Sequence, residues 1–218
     1  MLVLAVDTAT PASTAALVEV TDTGLIGVAE RRTVDPRAHG EKLAPEIAAA
    51  LAEAGVRPAD LAAIVAGTGP GPYTGLRVGL ATAAAMAHAL AVPVYGVCSL
   101  DGLGRAAGPG RVLVATDARR REVYYATYLD GVRVTGPAVD KPAAVTAEYE
   151  RVVGEGGLKY GDVFGVPVEE HLLYPPGAAL VALAAERIRA GAPSEVLTPL
   201  YLRRPDAVEP AARKPVLT

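Results

Sequence analysis

The stretch Ala66-Gly67-Thr68-Gly69-Pro70-Gly71-Pro72-Tyr73-Thr74-Gly75-Leu76-Arg77-Val78-Gly79 constrains this chain more than any other. An apolar run, Leu61 to Val65, precedes it and an alanine-rich segment follows it. The order is therefore strand, tight turn, helix N-terminus. Two prolines around one glycine stiffen the turn, and the glycines reach backbone conformations that other residues avoid. Free N–H groups at a helix start can hold an anion or a neighbouring loop. The spacing does not fit a P-loop, because Gly75 is followed by Leu76 and Arg77 rather than by Lys and Ser or Thr. It does not fit a dinucleotide fingerprint either, since Thr74 stands where the third glycine belongs. A rigid turn without a ligand stays open beside any binding role.

From Val78 to Leu100 no residue carries a formal charge, which is long enough to raise the question of a membrane span. The segment is mostly Ala and Gly, contains His88 and is split by Pro93. It reads better as a helix to about Ala91 and a short strand, Val94 to Val97. Asp7 interrupts the first apolar run and no basic region precedes it, so a signal peptide is not expected. The expectation is a cytoplasmic protein with no membrane contact.

A net charge of -3 argues against autonomous nucleic-acid binding. Two local basic clusters, Arg119-Arg120-Arg121 and Arg203-Arg204, are either contacts or solvated charge. The single cysteine, Cys98, excludes an internal disulfide and a cysteine-rich zinc site. His39, His88 and His171 are far apart in sequence, and no ligand spacing links them. No metal site is expected.

Leu2 to Val6, Thr14 to Val20 and Leu25 to Arg32 read as a β-meander whose first turn begins at Asp7. Glu41 to Ala54 reads as a helix with Leu43, Ile47 and Leu51 on one face, closed by Gly55. The pattern then restarts. Arg111 to Thr116 is an apolar strand ending at Asp117, followed by a charged turn and a strand from Glu122 to Leu129. Asp7 and Asp117 stand 110 residues apart in a chain of 218. That spacing predicts a duplicated α/β fold, β-β-β-α-β-α twice, with mixed sheets flanked by helices. The division is residues 1–100 for the first lobe and 101–218 for a smaller second lobe. A last helix, Ala178 to Ala190, is placed in the second lobe, followed by an edge segment, Leu197 to Arg203, and a proline-rich frayed end. Asp7 and Asp117 either face a nucleotide cleft or cap their own turns.

Several motifs occur in order: Leu4-Ala5-Val6-Asp7-Thr8-Ala9-Thr10, His39-Gly40-Glu41-Lys42-Leu43, the glycine-proline loop through Thr74-Gly75-Leu76-Arg77, Asp117-Ala118-Arg119-Arg120, and Tyr201-Leu202-Arg203. Through them the chain resembles the TsaB (YeaZ) family over nearly its whole length. The resemblance implies the actin-like ATPase (ASKHA) fold. It also implies a part in making N6-threonylcarbamoyladenosine at adenosine 37 of tRNA. Its implied partners are a TsaD-like catalytic subunit and a TsaE-like ATPase, with tRNA engaged indirectly through the complex and a homodimer as the alternative for the free chain. ATP and magnesium then belong to the partner subunits, and the isolated chain needs no cofactor. The TsaD relatives carry a metal-binding His-x-x-x-His motif; matched by eye, Ser99 and Leu103 fall there, so the chain reads as non-catalytic.

The resemblance places the partner interface on the loop and its two helices, at His39, Glu41, Leu43, Gly71, Tyr73, Thr74, Gly75, Gly79, Ala83 and Met86. Asp7, Thr8, Asp117 and Arg119 are read as remnants of a nucleotide cleft. Gly75, Gly79, Ala83 and Ala87 recur at every fourth position, a stripe that packs either on a partner or inside the lobe. The expectation adopted is the partner, with Ala83→Glu leaving the fold intact and abolishing the complex. His39 beside Glu41 reads as a cap or interface contact rather than an acid–base pair. The rival reading is a small actin-like ATP-dependent phosphotransferase working through Asp7 and Asp117.

Overall fold

Two strand meanders, each followed by a parallel return strand, organise the computed structural model, which describes residues 1–203. In the first, β1 (Leu2–Asp7), β2 (Ala12–Val20) and β3 (Leu25–Val34) are antiparallel neighbours. Helix α1 (His39–Ala54) then leads to β4 (Ala63–Gly67), which lies parallel to β1. Helix α2 (Tyr73–Leu90) leads to β5 (Val94–Val97), parallel to β4, and the sheet order is β3-β2-β1-β4-β5.

After α3 (Ser99–Ala107) the second sheet repeats the plan with β6 (Arg111–Asp117), β7 (Val123–Leu129), β8 (Val132–Asp140) and β9 (Arg151–Val153). Its order is β8-β7-β6-β9, with β6 antiparallel to β7 and parallel to β9. The duplication is the one that the spacing of Asp7 and Asp117 predicts, and the topology is the actin-like fold that the family resemblance implies. The copy is abridged. A single 3-10 turn, Pro142–Ala144, replaces the helix between the meander and the return strand. The fifth strand shrinks to one parallel bridge between Val152 and Val168. Two short helices, α4 (Glu155–Lys159) and α5 (Gly161–Phe164), and a longer one, α6 (Gly177–Arg189), complete the described chain.

Strands β1 and β4 are apolar on both faces, so both faces of the first sheet must be covered. Helices α1 and α2 cover one, where Leu43, Ile47, Leu76 and Ala83 meet Leu4, Val6 and Ile64. The other is covered by α6, whose Leu180, Val181, Ala184 and Ile188 pack on Val3, Ala5, Ala16 and Val65. The assignment of this helix to the second lobe is therefore corrected. Gly177 marks the closeness of the fit, since a Cβ there would lie 2.1 Å from the Cβ of Ala16.

Helix α3 has no counterpart in the sequence reading, because Gly102 and Gly104 weaken its local signal. Both glycines are contact residues. A Cβ on Gly102 would meet Leu180 at 2.7 Å, and one on Gly104 would meet the Tyr128 ring at 2.2 Å. Beyond α6 the chain runs back over the first lobe, with the Leu200 N–H donating to the Thr68 carbonyl at 2.8 Å. The expected edge segment is thus a strap rather than a strand. The proline-rich end and Arg204 lie outside the described residues. Among the described residues no helix is long and apolar enough to cross a membrane.

Candidate functional site

The first strand of each sheet ends at an aspartate. After β1 the Ala9 N–H donates to Asp7 Oδ1 at 3.0 Å, and after β6 the Arg119 N–H donates to Asp117 Oδ1 at 3.3 Å. Both turns are thus closed by the same side-chain-to-backbone bond, two residues on. Around this shared device the two sites differ.

Asp7 is 1 % exposed and its remaining acceptor is occupied. The Ser99 hydroxyl donates to Asp7 Oδ2 at 2.5 Å and accepts the Gly69 N–H at 3.1 Å. The Ser99 N–H donates in turn to the Gly69 carbonyl at 2.7 Å, so β1, the glycine loop and the start of α3 share one junction. A Cβ on Gly67 would fall 1.8 Å from Asp7 Oδ2, which leaves only glycine at the end of β4. Burial pushes the Asp7 carboxyl up from its ordinary 3.8 to about 6, against the lowering effect of the Ser99 and Ala9 bonds. Of the positions matched to metal-binding histidines, Ser99 is buried in this hydrogen-bonded junction and Leu103 is buried in the apolar core. Among the described residues no group of His, Cys, Asp and Glu has the arrangement of a metal site.

Thr8 is equally committed. Its hydroxyl donates to the Gly75 carbonyl at 2.7 Å and accepts the Gly79 N–H at 3.0 Å, pinning the first turn of α2 to the loop after β1. This contact decides which way the small-residue stripe faces. A Cβ on Gly79 would lie 2.4 Å from Thr8 Oγ1, and one on Gly75 would lie 2.9 Å from the His39 ring. Gly71 is held against Ala9 in the same way, with a Cβ 2.3 Å from its carbonyl oxygen.

Gly75, Gly79, Ala83 and Ala87 are all buried against the first sheet and its loops. The stripe therefore packs inside the lobe, and Gly71, Gly75, Gly79 and Ala83 are corrected as interface residues. Leu43 is a core residue of α1. His39 is buried, with its Nδ1 and the Ser13 hydroxyl 2.9 Å apart, and desolvation lowers its pKa. It holds α1 to β2 and is not an exposed contact. Of the expected interface residues, Glu41, Tyr73 and Thr74 are exposed and Met86 is half-buried. The outward face of α2 carries Arg77, Ala81, Ala84, Ala85 and His88, which the sequence reading passed over. Arg77 lies over the Tyr73 ring at 4.0 Å, and Tyr201 of the strap stacks on that ring at 5.1 Å between centroids.

In the second lobe Asp117 forms an ion pair with Lys159 at 2.9 Å, and its N–H donates to Glu155 Oε1 at 3.0 Å. The other Glu155 oxygen is buried without a partner. Burial, with added repulsion from Asp117 and Asp7, raises this carboxyl from 4.5 to about 7. Arg119 is exposed on the hairpin turn after Asp117, and its charge reaches His39 in the first lobe. Of the four cleft residues proposed from sequence, Asp7 and Thr8 are buried and hydrogen-bonded inside the first lobe. Asp117 and Arg119 lie at the surface of the second.

Residues 33–171 match the family described as TsaD, tRNA N6-adenosine threonylcarbamoyltransferase. The chain is 53% identical over 205 residues to an uncharacterised Mycobacterium tuberculosis protein, covering 94% of this chain and 93% of that one. It is 36% identical over 164 residues to the tRNA threonylcarbamoyladenosine biosynthesis protein TsaB of Escherichia coli, covering 71% and 69%. A solved Pseudomonas aeruginosa structure, described as similar to peptidase YeaZ, superposes with a TM-score of 0.77 at 31% identity over 93% of this chain and 99% of that one. YeaZ from the same organism gives 0.75 at 29% identity, over 92% and 100%. Fold, loop and relatives agree, and the chain belongs to the TsaB (YeaZ) family.

Proposed function

We propose that this protein is a cytoplasmic, non-catalytic subunit in the biosynthesis of N6-threonylcarbamoyladenosine in tRNA, pairing with a TsaD-like subunit and recruiting a TsaE-like ATPase. The names of its relatives support the pathway. The observation that carries the non-catalytic reading is the state of Asp7. A carboxylate that is to hold a metal–phosphate needs free lone pairs facing solvent. Here the carboxyl is 1 % exposed, with the Ala9 N–H and the Ser99 hydroxyl donating to its two oxygens and the end of β4 closing over Oδ2. The glycine loop also lacks a lysine to meet a phosphate. These features disfavour the rival phosphotransferase, and ATP and magnesium are assigned to the partner subunits.

The partner face in this reading is the outward side of α2, with Glu41 of α1 beside it. Ala81, Ala84 and Ala85 leave that side smooth enough for another helix to approach closely, and Tyr73 and Arg77 supply the anchoring side chains. Without its partner the same face supports a homodimer. Two measurements test the proposal. Co-purification with a TsaD-like protein should give a stoichiometric complex. Calorimetry on the isolated chain should find ATP binding no tighter than roughly millimolar, about -4 kcal/mol. Micromolar ATP binding that disappears in Asp7→Asn would favour the phosphotransferase instead.

A further inference from the structure

We propose that the hairpin turn after β6, Arg119-Arg120-Arg121, together with Arg203 of the strap, docks the phosphodiester backbone of RNA. The inference rests on the tRNA-pathway reading above and adds the surface by which this chain itself would touch RNA. Its first support is the backbone. Arg119, Arg120 and Arg121 have φ values of 61°, 50° and 63°, three consecutive left-handed residues in a tight turn. The turn is closed by the Ala118 N–H to the Glu122 carbonyl and the Glu122 N–H to the Arg119 carbonyl, both at 2.9 Å. Glycine and asparagine suit that conformation, whereas a long side chain is strained in it. Local stability therefore does not account for three arginines here, and strain of this kind concentrates at functional positions.

The second support comes from the tertiary fold. Arg203, far away in sequence, donates to the Ala118 carbonyl at 2.8 Å and lies 3.6 Å from Glu122. Lys159 stands beside Asp117, the residue that opens the turn, at 2.9 Å. Lys159 and Arg203 thus stand at the two ends of the arginine turn, one on Asp117 and the other on Glu122, in a chain whose net charge is -3. The three turn arginines are exposed.

The exposure selects the ligand. A small phosphate compound gains its affinity from enclosure, and two surface clefts of about 260 and 390 Å³ are lined by other residues. A nucleic-acid backbone needs only exposed cations that can face successive phosphates, and arginine suits phosphate through its planar fork of donors.

The test is a fluorescence-anisotropy titration of labelled, unmodified tRNA between about 50 and 200 mM salt, on the chain alone and with its TsaD-like partner. Arg119→Glu/Arg121→Glu should lower affinity at least tenfold and reduce the salt slope by about one to two. A charge-matched control, Arg31→Glu/Arg105→Glu, should change affinity less than threefold. Arg119→Gly/Arg121→Gly should lose tRNA binding while its melting temperature rises, because glycine accepts the left-handed turn without strain. Wild-type affinity in both turn variants, an equal loss in the control, or no tRNA binding by the wild type in either form would overturn the proposal. So would loss of a fluorescent ATP analogue with tRNA binding retained. Pull-down of the partner on the same proteins is read separately: a wild type that fails to pair defeats the subunit reading, whatever the arginines do.

Discussion

Ala83→Glu should unfold the protein, not merely detach a partner. Ala83 is fully buried on the face of α2 that meets β1 and β4, among Leu4, Val6, Ile64 and Leu80. A glutamate there must displace packed atoms and bury a carboxyl with no described partner. Overpacking alone costs about 1–3 kcal/mol, and burying the polar group adds a comparable amount. The sum approaches the 5–15 kcal/mol that holds a domain folded. Gly79→Arg should fail in the same way against Thr8 Oγ1. One position along the helix, Ala84 is exposed. Ala84→Glu should melt like the wild type and, if the partner sits on that side, lose the complex by a thousandfold or more. Thermal melting and pull-down on both variants read the result. A folded Ala83→Glu protein would contradict the inward packing of the stripe, and full pairing by Ala84→Glu would move the partner to another face.

Stability should fall by several kcal/mol as pH rises from about 4.5 to 7.5, the reverse of ordinary acid denaturation. Asp7 and Glu155 both bind a proton more tightly in the folded chain than in the unfolded one. Between the unfolded and folded pKa values the native state carries the extra proton, so raising the pH favours unfolding. For Asp7 that window runs from 3.8 to about 6, and for Glu155 from 4.5 to about 7. Each displacement corresponds to about 3 kcal/mol. Glu195, lowered against the opposing effect of burial by its hydrogen bonds to Arg187 and the Gly96 N–H, and His39, lowered from 6.5 by desolvation, pull the other way, each losing its contribution as pH falls toward its folded pKa. The expected profile is a maximum near pH 4.5 with a decline toward neutrality. Urea titrations across the range check it. Glu155→Gln should flatten the upper part of the decline and Asp7→Asn the lower part. A wild-type profile that climbs steadily to pH 7.5 would refute the assignment.

Much of the architecture was legible in sequence because it depends on short-range chemistry. Apolar runs ending at Asp7 and Asp117 mark the first strand of each sheet, and their spacing reveals the duplication. The glycine-proline loop marks the junction of β4 and α2, since few other residues turn so tightly. Helices α1 and α6 were bounded to within about two residues, and the end of α2 to within one, by periodicity and, for α1, by Gly55.

What the sequence could not supply were facts about neighbours far along the chain. Small residues at every fourth position serve a partner or a core equally well. Only the contacts of Gly79 with Thr8 and of Gly75 with His39 turn the stripe inward. Asp7 looks the same in sequence whether its carboxylate is free or spent; the hydroxyl of Ser99, 92 residues away, spends it. Helix α6 follows the second sheet in the chain but covers the first, because β1 and β4 are apolar on both faces and α1 and α2 shield only one. Strand and helix follow from local preference. Which face is buried, and which charge is free, follows from what packs against it.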